Sequence, residues 1–169
     1  MLAITVLVFS VRDRTDEFLV YGYPGIFVIS ILANATILLP APGLALVFAL
    51  AGVFPPLGVA IAAGAGAAIG ELSGYLAGFS GQAVIEDAAL YQRLTTWMER
   101  NRRSAYLAIA ILAFVPNPFF DLAGMAAGAL RLPIGPFLLW AFLGKVLKML
   151  VIAWAGSSSI DWLLNWFGL

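Results

Sequence analysis

Phe114–Gly128 reads F-V-P-N-P-F-F-D-L-A-G-M-A-A-G, with two prolines, an asparagine and an aspartate set deep in apolar sequence. Pro116 and Pro118 each lack a backbone N–H and fix φ, so no regular helix passes cleanly through them. Tyr106–Val115 before the break and Phe119–Leu130 after it each suffice for about half a bilayer, against the roughly 20 residues of a full span. The spacing predicts a re-entrant hairpin: one half-helix enters, the chain breaks at Pro-Asn-Pro, and a second half-helix returns. Broken backbone is tolerated at membrane depth only where protein buries it or a wet cavity lines it. Asp121, beside the break, calls for the same cavity, because an ionised carboxylate facing lipid is costly.

Outward from this stretch the layout recurs. Ile26–Leu39 is apolar apart from Asn34-Ala35-Thr36, and Pro40-Ala41-Pro42-Gly43 then breaks it. Leu44–Phe54 is again about half a span. Leu57–Phe79 is a full span, dense in small residues from Gly64 to Gly78, and it carries Glu71 with Tyr75 one turn on. Ile134–Gly156 is a second full span, carrying Lys145 and Lys148, and Ser157-Ser158-Ser159 is expected to end it. Pro116 follows Pro40 by 76 residues, as Gly128 follows Gly52; Pro133 follows Pro56 by 77, Gly156 follows Gly78 by 78, and Gly144-Lys145 follows Gly70-Glu71 by 74. The chain thus reads as hairpin plus span, twice. Each copy crosses once, so the second must be inverted, an arrangement that places a site at the midplane between the repeats.

Ser80–Arg103 is the extended polar region. Leu90, Leu94, Trp97 and Met98 recur at helical spacing among charged residues, predicting an amphipathic helix on the membrane surface. Residues 1–27 read as an N-terminal interfacial segment without a cleavable signal, Tyr21–Gly25 being turn formers at the lipid boundary. Repeat one then covers 28–79, the amphipathic linker 80–103 and repeat two 104–156, so that the membrane domain is 28–156; residues 157–169 form a Trp-rich interfacial tail. Arg93, Arg100, Arg102, Arg103 and Arg131 outnumber Arg12 and Arg14 on the other side, which places the linker in the cytoplasm.

At 63% hydrophobic and 11% charged residues, with a mean hydropathy of +1.00, the composition is that of an integral membrane protein. Zero formal net charge gives a nucleic-acid partner no electrostatic footing. The absence of cysteine and histidine excludes thiolate nucleophiles and His-containing metal sites. With no G-x-S-x-G and no phosphate loop, the chain is expected to be no enzyme and to carry no cofactor or metal.

Glu71, Asp121, Lys145 and Lys148 are the charges at apparent membrane depth, each costing about 2.5–3.5 kcal/mol at a lipid-facing helix centre. They read either as the lining of a polar groove between the hairpins or as an ion-pair set holding the repeats together. Asn117 and Asp121 could equally cap the broken half-helices. Tyr75 divides evenly between packing and groove. Pro40, Pro42, Pro116 and Pro118 hold the breaks open. The small-residue face of Gly64–Gly78 reads as packing rather than dimerisation, and a homo-oligomer stays open.

The run Pro116-Asn117-Pro118-Phe119-Phe120-Asp121-Leu122-Ala123-Gly124, with Gly144-Lys145 and Lys148-Met149 after it and Gly70-Glu71-Leu72 and Tyr75 before it, resembles the vacuole membrane protein type of the VTT-domain, or DedA, superfamily (the SNARE-associated Golgi protein family). The resemblance brackets most of residues 30–156. It implies an all-α integral membrane fold of inverted hairpin-plus-helix repeats, and an association with phospholipid scrambling. Glu71 stands at the family acid, and Asp121 at the aspartate of the proline run. Bacterial relatives resemble transporters of lipid carriers, with arginines where this chain has Ala113 and Phe119 and an acid in the first hairpin, whereas no acid lies between Phe18 and Gly70 here. These departures favour the scramblase type. The short chain is expected to be a minimal core in a prokaryotic plasma membrane.

The expected function is passive scrambling of membrane phospholipids along Glu71, Tyr75, Asn117, Asp121, Lys145 and Lys148. The alternatives are an ion-coupled secondary transporter of undecaprenyl-phosphate-like lipid carriers or small ions, with a lipid-carrier phosphate as partner, and a structural membrane protein without transport.

Overall fold

The computed structural model describes residues 15–35, 43–81, 88–116 and 119–167, which are mostly helical, with no strand among them. The helices are α1 (Thr15–Ala35), α2 (Gly43–Leu50), α3 (Pro56–Gly70), α4 (Leu72–Ser80), α5 (Ala88–Arg100), α6 (Arg102–Phe114), α7 (Phe119–Ala129) and α8 (Ile134–Phe167).

Among the described residues two stretches are long and apolar enough to cross a membrane, Pro56–Ser80 with 25 residues and Ile134–Ser159 with 26. They match the spans expected over Leu57–Phe79 and Ile134–Gly156. The first joins α3 to α4 almost without interruption, because Glu71 keeps right-handed helical dihedrals (φ −64°, ψ −13°). Its N–H donates to the Ala67 carbonyl at 3.2 Å, and its carbonyl accepts from the Tyr75 N–H at 3.1 Å. By contrast α2, α6 and α7 have 8, 13 and 11 residues. At about 1.5 Å per residue even the longest covers only about 20 Å of a roughly 30 Å hydrocarbon layer. α6 stops at Phe114, Val115 turns extended (φ −73°, ψ 131°), and helix resumes at Phe119. Pro116 is exposed in that gap, while Asn117, Pro118, Pro40 and Pro42 lie outside the described residues.

Two local expectations give way to packing. α1 runs straight through Tyr21–Gly25, with Pro24 inside the helix, where turn formers predicted an entry loop. The segment is instead a contact face: a Cβ on Gly22 would strike the Phe54 ring, the Tyr23 side chain lies over Gly58, and the Tyr23 and Phe54 ring centroids are 5.7 Å apart. α8 likewise continues past Ser157-Ser158-Ser159 to Phe167, 34 residues in all, so no separate tail begins at 157. Ser157 Oγ donates to the Trp154 carbonyl at 3.0 Å and Ser159 Oγ to the Ala155 carbonyl at 2.7 Å, which lets the helix absorb them. The amphipathic helix expected in the linker is α5, and its hydrophobic stripe packs on protein. Met98 is buried, Tyr91 and Leu94 pack against the same core, and α5 docks on α7, leaving Arg93, Trp97 and Arg100 exposed.

The core falls into two clusters. One joins Tyr75 of α4, Ile109 of α6, Phe120 and Ala126 of α7, and Phe137 and Ala141 of α8. The other joins Ile26 of α1, Val47 of α2, Val59, Ala63 and Ala67 of α3, and Met149 and Ala153 of α8. Each long span therefore serves both clusters, one with each half. α1 packs on α3 as α6 packs on α8, and α2 packs on the end of α8 as α7 packs on α4. Glycines make these approaches, since a side chain there would meet a neighbouring backbone: Gly70 faces the Ile31 carbonyl as Gly144 faces that of Ala110, and Gly78 faces the Met125 carbonyl as Gly156 faces that of Phe48.

Candidate functional site

Where the two long spans cross, a residue of each stands one turn from both clusters. Glu71 lies four residues after Ala67 and four before Tyr75; Lys145 lies four after Ala141 and four before Met149. The two side chains meet in an ion pair, at 5% and 4% residue exposure. The positions joined by the 74-residue offset thus touch one another. Gly64 permits the crossing, because a Cβ there would press on the backbone of Val146.

Lys145 is held from three directions. Nζ donates to Glu71 Oε1, donates to Asn34 Oδ1 at 3.1 Å, and sits 4.6 Å from the centroid of the Phe120 ring. A desolvated ammonium gains about 2 kcal/mol or more over an aromatic face. Asn34 is itself fixed, Nδ2 donating to the Ser30 carbonyl at 2.9 Å. Neither Asn34 nor Phe120 stood among the expected site residues. The polar insertion in the apolar run Ile26–Leu39 was the available signal for Asn34, and the place of Phe120 beside Asp121 was that for the ring.

The other two charges are placed differently. Asp121, in the first turn of α7, and Lys148, one turn after Lys145 on α8, are both half-buried. Neither makes a hydrogen bond or ion pair with another described residue. They lie within Coulomb reach of one another and of Lys145. The four charges form one neighbourhood, divided into a sealed pair and two partly open groups.

Tyr75 is buried one turn after Glu71. Its hydroxyl donates to the Leu132 carbonyl at 2.6 Å, and its ring stands 5.1 Å from that of Phe137. That carbonyl belongs to the turn leading from α7 to α8, which Arg131 enters at positive φ (50°). Tyr75→Phe should lower thermal stability in detergent by about 1–3 kcal/mol, because a buried carbonyl loses its donor. A Tyr75→Phe variant of full stability would show that this bond does not hold the turn.

A sequence model of the VTT domain matches residues 41–158, which is more than half of the chain and runs from just before α2 to the end of the second span. The chain belongs to the VTT-domain family. This VTT-domain protein is 29% identical over 131 residues to vacuole membrane protein KMS1 of Arabidopsis thaliana, covering 63% of the chain and 32% of the relative. To vacuole membrane protein KMS2 of the same plant it is 29% identical over 139 residues, covering 69% of the chain and 33% of the relative. The chain spans about a third of the length of these curated relatives. No solved structure matches it. The family match and the two apolar spans make this VTT-domain chain an integral membrane protein. Glu71, Asp121, Lys145 and Lys148 all lie within the matched residues, and Asn34 lies before them.

Proposed function

We propose that this VTT-domain protein moves phospholipids passively between leaflets, the headgroup following a polar path past Asp121 and Lys148 while the acyl chains stay in lipid. One observation carries the reading: two opposite charges, half-buried and unpaired among the described residues, lie within Coulomb reach of one another, Asp121 in the first turn after a helix break and Lys148 on the second span. Leaving them exposed to hydrocarbon would cost about 2.5–3.5 kcal/mol each, so they are better explained by a hydrated path than by lipid contact. The matched packing of α1, α2 and α3 with α6, α7 and α8 supports two opposed re-entrant hairpins around that path, since inverted repeats with broken helices set a site at midplane. An ion-coupled carrier of lipid phosphates would use the same groups and differ in needing a gradient.

The test is dithionite quenching of acyl-labelled phosphatidylcholine in proteoliposomes without any ion gradient. Wild type should expose the inner-leaflet label rapidly, and Asp121→Asn and Lys148→Gln should slow it while remaining folded. Well-folded wild type that leaves the inner leaflet protected would sink passive scrambling. A proton gradient that restores movement would point to the coupled carrier.

A further inference from the structure

We infer that Asp121 and Lys148, and not the Glu71–Lys145 pair, read the headgroup, and that they select a zwitterionic phospholipid: its phosphate on the Lys148 ammonium, its amine-bearing end on the Asp121 carboxylate. The inference rests on the lipid-transport reading above and assigns separate roles to the four charges.

Glu71 and Lys145 are closed to a ligand. Lys145 already meets a carboxylate, an amide oxygen and an aromatic face, and both side chains are almost wholly buried. A headgroup could bind either only by breaking a buried pair and leaving one of its charges uncompensated. Asp121 and Lys148 are each one step outside that closed set. Asp121 follows Phe120, whose ring lies against Lys145; Lys148 is one turn beyond Lys145 on the same helix. They approach from two helices, α7 and α8, and are partly open.

Charge balance then picks the ligand. Two acids and two lysines sum to zero. A headgroup carrying one phosphate and one ammonium leaves the loaded site neutral and matches both open groups. An anionic headgroup without an amine leaves the loaded site at one negative charge and Asp121 without a cation, in surroundings where an uncompensated charge is expensive. Specificity is the difference between those two loaded states.

Selectivity is read in proteoliposomes of the full chain, using acyl-labelled phosphatidylcholine against acyl-labelled phosphatidylglycerol, which has the phosphate and lacks the amine. Wild type should favour phosphatidylcholine by about tenfold, the worth of one poorly compensated charge at a partly hydrated site. Asp121→Asn leaves the empty site at one positive charge, so the preference should vanish or reverse. Lys148→Gln should weaken both lipids, because both carry phosphate. Glu71→Met/Lys145→Met, which removes the sealed pair without changing the net charge of the site, should leave the lipid ratio as in wild type. Short-chain versions of the same two lipids, competed for the detergent-solubilised chain and counted by native mass spectrometry, read the ratio without any movement. Wild type that moves neither lipid would remove the transport reading and leave this binding ratio to decide the selectivity. A ratio equal in wild type and Asp121→Asn, in either measurement, overturns the assignment, as does a ratio lost in Glu71→Met/Lys145→Met.

Discussion

Lys145→Met is expected to destabilise the protein by about 3–5 kcal/mol, because it strands the Glu71 carboxylate in a site closed to water. That is a large part of the roughly 5–15 kcal/mol that holds a typical domain together. Asn34 and Phe120 supply no counter-charge: Asn34 is a neutral amide already donating to the Ser30 carbonyl, and the electron-rich face of the Phe120 ring suits a cation rather than an anion. Glu71→Met/Lys145→Met should recover most of the loss, since a buried ion pair replaced by apolar groups of similar volume is often neutral or better. Thermal unfolding in detergent of the two single variants and the double variant forms a closed cycle. Strictly additive losses would show that the two groups are not coupled, and the account of the crossing would fall with them.

Gly128→Ala and Gly78→Ala should force α4 and α7 apart. A Cβ on Gly128 would run into the Tyr75 carbonyl, and one on Gly78 into the Met125 carbonyl; both obstacles are backbone and cannot swing aside. Overpacking of this kind costs on the order of 1–3 kcal/mol, more where helix axes must separate. Gly144→Ala and Gly156→Ala meet the Ala110 and Phe48 carbonyls and should cost similar amounts. Gly74→Ala and Gly135→Ala have nothing within 4 Å of the new methyl and serve as controls. There the helix preference for alanine, up to about 1 kcal/mol, should leave stability unchanged or slightly raised. Unfolding temperatures that rank all six alike would mean that the close approaches do not hold the helices together.

These two results concern features of different visibility in the chain. The spans over Pro56–Ser80 and Ile134–Ser159 were legible from length and apolar composition, which are local properties. So was the break after Phe114, because a missing N–H at Pro116 needs no neighbour to act. The glycine positions and the offset linking Glu71 to Lys145 were also visible, as spacing. What the spacing lacked was contact. Gly64, Gly66, Gly70 and Gly78 lie on one helical run yet serve α8, α1 and α7 in turn, a division that depends on where those helices land. Tyr21–Gly25 carries every local signal of a turn and is helix, because Gly22 and Tyr23 pack against Phe54 and Gly58 of the following segment. Four membrane-depth charges looked equivalent as a list. Only the crossing of α8 over the joined α3 and α4 sorted them, sealing Glu71 with Lys145 under Phe120 and Asn34 and leaving Asp121 and Lys148 partly open. Composition sets which groups are costly in a membrane; the packing of helices distant in the chain sets which of them find a partner.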